Sequence, residues 1–175
     1  MNFEPLDIDG ALGICGTVNH DFRGSFIRTW DIDSAMGAFK IKQASFTLNP
    51  NAGTLRGLHY QKEPFAESKL VYSPSGKIFD VILDLRESSP TFEKHLSFEV
   101  GPNCKYIGLY IPAGCAHGYL TLEPNSALVY YMDKEYSKKH AGGVLWNDPR
   151  YGIPWPRSPL HISEADLNWK ATKGP

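Results

Sequence analysis

Arg56, His59 and Lys69 fall within fourteen residues, around the run GTLRGLHYQ at Gly53–Gln61 and the KLV that begins at Lys69. They are an anion binder, a group that titrates near neutral pH and a fixed cation. Leu55 and Leu58 lie between them, and a solvated surface has no need of leucines packed among such groups. A site that holds a charged ligand and moves a proton does.

Further polar residues sit in equally apolar surroundings. Alternation along Lys77–Leu85 puts Phe79, Val81, Leu83 and Leu85 on one face and Ile78, Asp80, Ile82 and Asp84 on the other. Both faces are largely apolar, so both are expected to be covered. Asp80 then points into an interior where its carboxylate needs a partner. Pairing of Asp84 with Arg86 is its plainer role. In YIPAGCAHGYL, Tyr110–Leu120, His117 stands between the small residues Ala116 and Gly118, which let a ligand or another backbone approach the ring. Taken alone, His117 reads more readily as a satisfied structural histidine than as a catalytic one. Tyr130 and Tyr131 in LVYYMDKEY, Leu128–Tyr136, point to opposite faces, so at most one enters an interior. The segment Trp146–Pro156, WNDPRYGIPWP, is too rich in Pro and Trp for a regular strand and reads as an ordered loop packed on the body.

The elements that position these residues are short. Turn signals recur at Asn49-Pro50-Asn51, Pro74-Ser75-Gly76, Ser89-Pro90, Gly101-Pro102-Asn103, Pro112-Ala113-Gly114 and Pro124-Asn125. Between them run Phe26–Trp30, Ile41–Leu48, Lys69–Tyr72, Lys77–Leu85, Leu96–Val100, Tyr106–Ile111 and Ala127–Met132, rich in β-branched and aromatic residues. The spacing predicts one all-β domain over residues 1–175, a sandwich or closed barrel. Helix is expected only at Ser34–Lys40 and near Ser163–Lys170, each with a Ser at its start. A net charge of −1 leaves no basic excess to neutralise many phosphates, which argues against a nucleic acid partner. No run of about 18 apolar residues points to a membrane span. The acidic start MNFEPLDIDG is unlike a signal peptide. Cys15, Cys104 and Cys115, odd in number and without a CxxC, suggest reduced thiols and a cytoplasmic setting.

Taken together, DFRGSF (Asp21–Phe26), GTLRGLHYQ, KLV, DVILDLRESSPTF (Asp80–Phe92), IPAGCAHGY, LVYYMDKEY, WNDPRYGIPWP and ISEAD (Ile162–Asp166) occur in the order and spacing of one family. The chain resembles the dTDP-4-dehydrorhamnose 3,5-epimerases, nucleotide-sugar enzymes with a cupin (jelly-roll, double-stranded β-helix) fold. The resemblance implies epimerisation at C3 and C5 of a nucleoside-diphosphate 4-keto-6-deoxyhexose through an enolate, for deoxysugar and polysaccharide synthesis. It implies His59 as base, Asp166 as the residue that holds its imidazole, Tyr130 as the acid on the opposite face, and Lys69 near the keto oxygen. His117 and Asp80 match further polar residues of that pocket. Arg23 and Arg56 match contacts to the diphosphate, sugar or nucleotide. Tyr136 matches a ring that stacks on the base, and Gln43, with one residue inserted before Arg56, a contact near the base. No cofactor and no metal are implied, and a homodimer that docks or exchanges N-terminal strands is, with Phe3, Phe22 and Phe26 as candidate contacts.

Four positions depart from the family pattern. Arg28 replaces an acidic residue, Ser45 replaces an amide in Gln43-Ala44-Ser45, Ala165 replaces the base that precedes the last aspartate, and SKKHA at Ser137–Ala141 lacks a glutamate. All lie at the ligand-binding rim, Arg28 and Ser45 included, and none in the proton-transfer set. A CDP-, UDP- or GDP-linked keto-deoxysugar, or epimerisation at one carbon only, therefore stays open beside the dTDP-4-dehydro-6-deoxy-D-glucose reading. Two other classes compete: a metal-dependent cupin, although no HxH occurs and Gln61 follows His59-Tyr60, and a sugar-nucleotide-binding module without catalysis.

Overall fold

The computed structural model describes residues 2–16, 19–29 and 39–170. Six strands form one antiparallel sheet: β1 (Asn2–Pro5), β2 (Leu12–Cys15), β5 (Gln43–Asn49), β7 (Lys69–Ser75), β10 (Gly108–Ile111) and β12 (Ser126–Met132), in the order β1-β2-β10-β7-β12-β5. Five more form the second: β6 (Leu55–Gln61), β8 (Ile78–Asp84), β9 (His95–Val100), β11 (Cys115–Thr121) and β13 (Ala141–Gly143), in the order β13-β6-β11-β8-β9. A separate hairpin joins β3 (Asn19–Asp21) to β4 (Gly24–Phe26). The one helix among the described residues is α1, Glu164–Leu167. This is the all-β jelly-roll architecture that the turn spacing and the resemblance led one to expect.

The sheets face each other, and their inner faces make the central core. Val71 and Leu128 of the first sheet pack with Ile78, Ile82, Cys115 and Tyr119 of the second. Parts of the outer faces are covered too. Ile14, Leu70 and Tyr72 pack with Ile107 and Phe39 outside the first sheet. Val81, Leu83, Leu58 and Ala116 pack beneath Tyr151, Ile153 and Trp155 outside the second. Strand β8 thus buries Ile78 and Ile82 on one side and Val81 and Leu83 on the other, as its alternation predicted. The Trp146–Pro156 loop does pack on the body: Trp155 Nε1–H donates to the Trp146 carbonyl at 2.7 Å, and its ring meets Phe79 at 5.7 Å.

Some expectations needed adjustment. The strand expected over Phe26–Trp30 ends at Phe26; Ile27, Arg28 and Thr29 carry no strand pairing, and Trp30 lies outside the described residues. The helix expected at Ser34–Lys40 also lies outside them, except for Phe39 and Lys40, which are not helical. The one near Ser163–Lys170 is present but shorter. The Ser163 hydroxyl accepts the Asp166 N–H at 3.1 Å and starts α1, and Asn168 closes it after a single turn. Strands β1, β2, β3, β11 and β13 escaped the sequence reading, since they are short or interrupted by Gly.

Candidate active site

Arg56 and His59 are three residues apart on β6, so a regular strand would send them to opposite faces. Both nevertheless line the same cleft. The cause is a shift in register: His59 pairs with His117 and Arg56 with Tyr119, so Gly57 and Leu58 together face Gly118. Such a β-bulge turns the chain by one side-chain position and re-aims every side chain beyond it on the strand. Gly57 permits it, with φ at +119° and with no room for a Cβ, which would lie 2.6 Å from Gly118 Cα and 2.7 Å from the His117 carbonyl oxygen.

His59 stands 47% exposed, with its Nε2–H donated to Asp166 Oδ1 at 2.5 Å. A carboxylate acceptor fixes that tautomer and leaves Nδ1 as the basic nitrogen. Asp166 itself is only 6% exposed. Burial pushes its carboxyl up, but the hydrogen bond and charge of His59 and the N–H of Gly57 outweigh this and hold it below the ordinary carboxylate range. The Gly57 N–H reaches the second oxygen, Oδ2, at 3.4 Å.

The opposite wall comes from the other sheet. Tyr130 on β12 and Lys69 on β7 both line the cleft that His59 enters. Burial pushes the Tyr130 phenol well above its ordinary value, with the Tyr119 hydroxyl and Asp80 adding to the effect, so at neutral pH it is a neutral O–H. The Lys69 amine donates to the His59 carbonyl at 3.1 Å and pairs with Glu67 at 3.3 Å. Its burial lowers the amine's pKa, and Glu67 opposes that. His117 Nε2 meets Asp80 Oδ2 at 2.8 Å beneath the cleft, and its ring stands edge-on to Tyr130 at 6.2 Å. Asp80 does point inward and does have a partner, although its Oδ1 has none among the described residues.

The cleft has two lobes that share His59, Lys69, Tyr130, Ala165 and Asp166. One, of about 830 Å³, is lined by Thr47, Arg56, His117 and Tyr119 and by the Leu160–Ser163 segment. Here Arg56 Nε donates to Asn49 Oδ1 at 3.0 Å, and Asn49 Nδ2 to the Tyr119 hydroxyl at 3.2 Å. The other, of about 620 Å³, is lined by Gln43, Ser45, Tyr136, Lys138 and Trp169. The Tyr136 N–H donates to Gln43 Oε1 at 2.9 Å, tying the two together while Tyr136 stays 60% exposed. Both volumes are of the size usual for small-molecule sites.

The fold thus gathers His59, Asp166, Lys69, Tyr130, His117, Arg56, Gln43, Ser45 and Tyr136 around one cleft, with Asp80 directly behind His117. It does not bring Arg23 or Arg28 to the lining of that cleft. Arg23 lies on the β3–β4 hairpin, 76% exposed and paired with Asp21. Sequence reasoning passed over Thr47, Asn49, Tyr119 and Trp169. The first two alternate with Gln43 and Ser45 along β5, and that alternation was the available signal. No group of three or more His, Cys, Asp and Glu side chains among the described residues stands close enough to hold a metal.

Comparison with known proteins gives consistent results. The family model described as dTDP-4-dehydrorhamnose 3,5-epimerase matches residues 5–173. A dTDP-4-dehydrorhamnose 3,5-epimerase of Shigella flexneri is 44% identical over 176 residues, covering 96% of this chain and 94% of that protein. The crystal structure of the enzyme of that name from Bacillus anthracis, with TDP and PPi bound, superposes with a TM-score of 0.90 at 34% identity, covering 98% of this chain and 99% of that one. A dTDP-6-deoxy-D-glucose-3,5-epimerase from Legionella pneumophila, in complex with dTDP-4-keto-L-rhamnose, gives a TM-score of 0.86 at 29% identity, covering 94% and 89% of the two chains.

Proposed function

Because the chain belongs to the dTDP-4-dehydrorhamnose 3,5-epimerase family, we propose that it inverts C3 and C5 of dTDP-4-dehydro-6-deoxy-D-glucose in the cleft between its two sheets. The observation that carries this reading is the placement of a carboxylate-held imidazole on one wall and a neutral phenol on the other. The keto group acidifies the hydrogens on its neighbouring carbons. His59 Nδ1 removes one of them, and the electron pair moves onto the keto oxygen as an enolate. Lys69, which lines the same cleft as the partner of Glu67, offsets the negative charge that develops there. Tyr130 then gives its proton to the carbon from the other face, which inverts the centre, and solvent restores both groups. Half of the imidazole is open to water, so its captured proton exchanges freely.

The nucleotide end belongs in the lobe of Gln43, Ser45, Tyr136 and Lys138, with Tyr136 offering an exposed ring for stacking on the base. The ligands of the Bacillus anthracis and Legionella pneumophila structures support a dTDP-linked sugar. A homodimer fits the same picture: Phe22 is 98% and Phe26 64% exposed on the β3–β4 hairpin, apolar area that a second copy would cover. Three unpaired cysteines suit the reducing cytoplasm. Incubating the protein with dTDP-4-dehydro-6-deoxy-D-glucose and following the sugar protons by NMR tests the reading. Inverted product with wild type, and a loss of at least about a hundredfold in His59→Ala, are expected; near wild-type turnover by that variant contradicts it.

A further inference from the structure

Trp169 lies one residue beyond the cap of α1 and turns back over the cleft. Its indole N–H donates to Asp166 Oδ1 at 3.3 Å, the same oxygen that takes His59 Nε2–H at 2.5 Å. Its ring also meets the edge of the His59 ring, with centroids 6.3 Å apart and planes at 68°. The opposite strand leaves it space. Gly143, the register partner of His59 on β13, has no side chain where the indole sits; a Cβ there would lie 2.1 Å from Cε2 and 2.4 Å from Nε1. The indole is therefore wedged between β13, the imidazole and the carboxylate, on the side of the Gln43–Tyr136 lobe.

We propose that Trp169 is a positioning residue for proton abstraction, acting through Asp166 rather than touching the sugar's reacting carbons. The proposal rests on reading His59 and Asp166 as the abstracting pair. A carboxylate held only by the imidazole can rotate, and water from the open lobe competes for its lone pairs. The indole N–H blocks both: it occupies the second acceptor direction of Oδ1, which hinders rotation of the carboxylate and leaves no lone pair there for water. With Gly57 N–H on Oδ2, the carboxylate is fixed at both oxygens, which fixes the direction in which Nδ1 presents its lone pair. A residue that merely filled space would need no N–H aimed at this oxygen.

The test compares wild type with Trp169→Phe, Gly143→Ala, Asp166→Asn and the Asp166→Asn/Trp169→Phe double variant on dTDP-4-dehydro-6-deoxy-D-glucose. Trp169→Phe keeps a ring and loses the donor; kcat should fall about tenfold with KM within about twofold, the scale of outer hydrogen-bond partners. Gly143→Ala should give a similar loss by displacing the indole from the other side. Adding Trp169→Phe to Asp166→Asn should cost less than about twofold more, since the two groups act as one unit. Unchanged kcat in both single variants, or a full tenfold further loss in the double variant, overturns the proposal. Should wild type fail to turn over this sugar, the epimerase reading falls, and Trp169 is then judged on the His59 N–H proton resonance, assigned by its loss in His59→Ala. Faster exchange of that proton with water in Trp169→Phe, by about tenfold, upholds the positioning role on the scale expected of such partners; unaltered exchange removes it.

Discussion

Replacing Asp166 by Asn changes one atom of the pair that makes His59 a base, and the consequences stem from its three donors. His59 Nε2–H and Trp169 Nε1–H point at Oδ1, and the Gly57 N–H points at Oδ2. An amide cannot accept at both positions. With its oxygen toward His59, its NH2 opposes the Gly57 N–H; reversed, it opposes His59 and Trp169 and favours the tautomer with the proton on Nδ1, where the lone pair is needed. Losing a hydrogen bond to a charged partner costs about 1.5–3 kcal/mol. At about 1.36 kcal/mol per factor of ten, that is roughly a 13- to 160-fold loss in kcat, with more if the tautomer flips. KM should stay within about threefold, because the carboxylate is 6% exposed and offers little to a ligand directly. Steady-state conversion together with early deuterium incorporation reads both quantities. A loss smaller than about threefold would refute the dyad, since it would mean that the carboxylate contributes less than a neutral hydrogen bond does. The variant also probes pH. Asp166 has a depressed folded-state pKa, so the stability it contributes is fully present above the ordinary carboxylate range and is lost as pH falls through the folded value. Asp166→Asn should therefore melt with a shallower dependence on pH below about pH 4 than wild type does.

Two further outcomes are expected. Tyr130→Phe should slow inversion at least about tenfold more than it slows deuterium incorporation, because enolate formation needs only the base on the other wall; equal losses would show that Tyr130 is more than a proton donor. Asp84→Ala should lower Tm by roughly 6–20 °C, corresponding to about 3–5 kcal/mol for a broken buried ion pair, and leave the KM of the folded enzyme unaltered. Its covered carboxylate takes hydrogen bonds from Arg86, Ser89 and Thr91 at 2.6–2.8 Å, well apart from the cleft lining. An unchanged Tm would contradict that structural role.

The legible and illegible parts of the chain divide along a physical line. His59 and Lys69 were legible because each breaks an apolar strand pattern, and a buried polar group must answer to something; the roles of His117 and Tyr130 came only through the family resemblance. Asp84 was legible as a structural residue because Arg86 stands two positions away, and the structure places the two 2.7 Å apart. The pairing of His59 with Asp166, 107 residues apart, was not readable from spacing and came only through the family resemblance. Nor was the bulge at Gly57 and Leu58: period-two reasoning puts Arg56 and His59 on opposite faces, and only the register against β11 brings them together. Trp169 was missed because one tryptophan after a short helix carries no pattern, and its meaning depends on the empty position at Gly143 across the sheet. The end of β4 at Phe26 was overrun for the opposite reason, since Ile27–Trp30 has strand-like residues but, among the described residues, Ile27–Thr29 pair with no strand.

The most direct measurement counts deuterons. Wild-type protein in deuterated water with dTDP-4-dehydro-6-deoxy-D-glucose should yield a product carrying two, at C3 and C5, each delivered from the Tyr130 wall after removal by His59. His59→Ala should yield none over the same interval. A product with no deuterium, or a His59→Ala variant that incorporates it as fast as wild type, would contradict proton transfer between the two sheets.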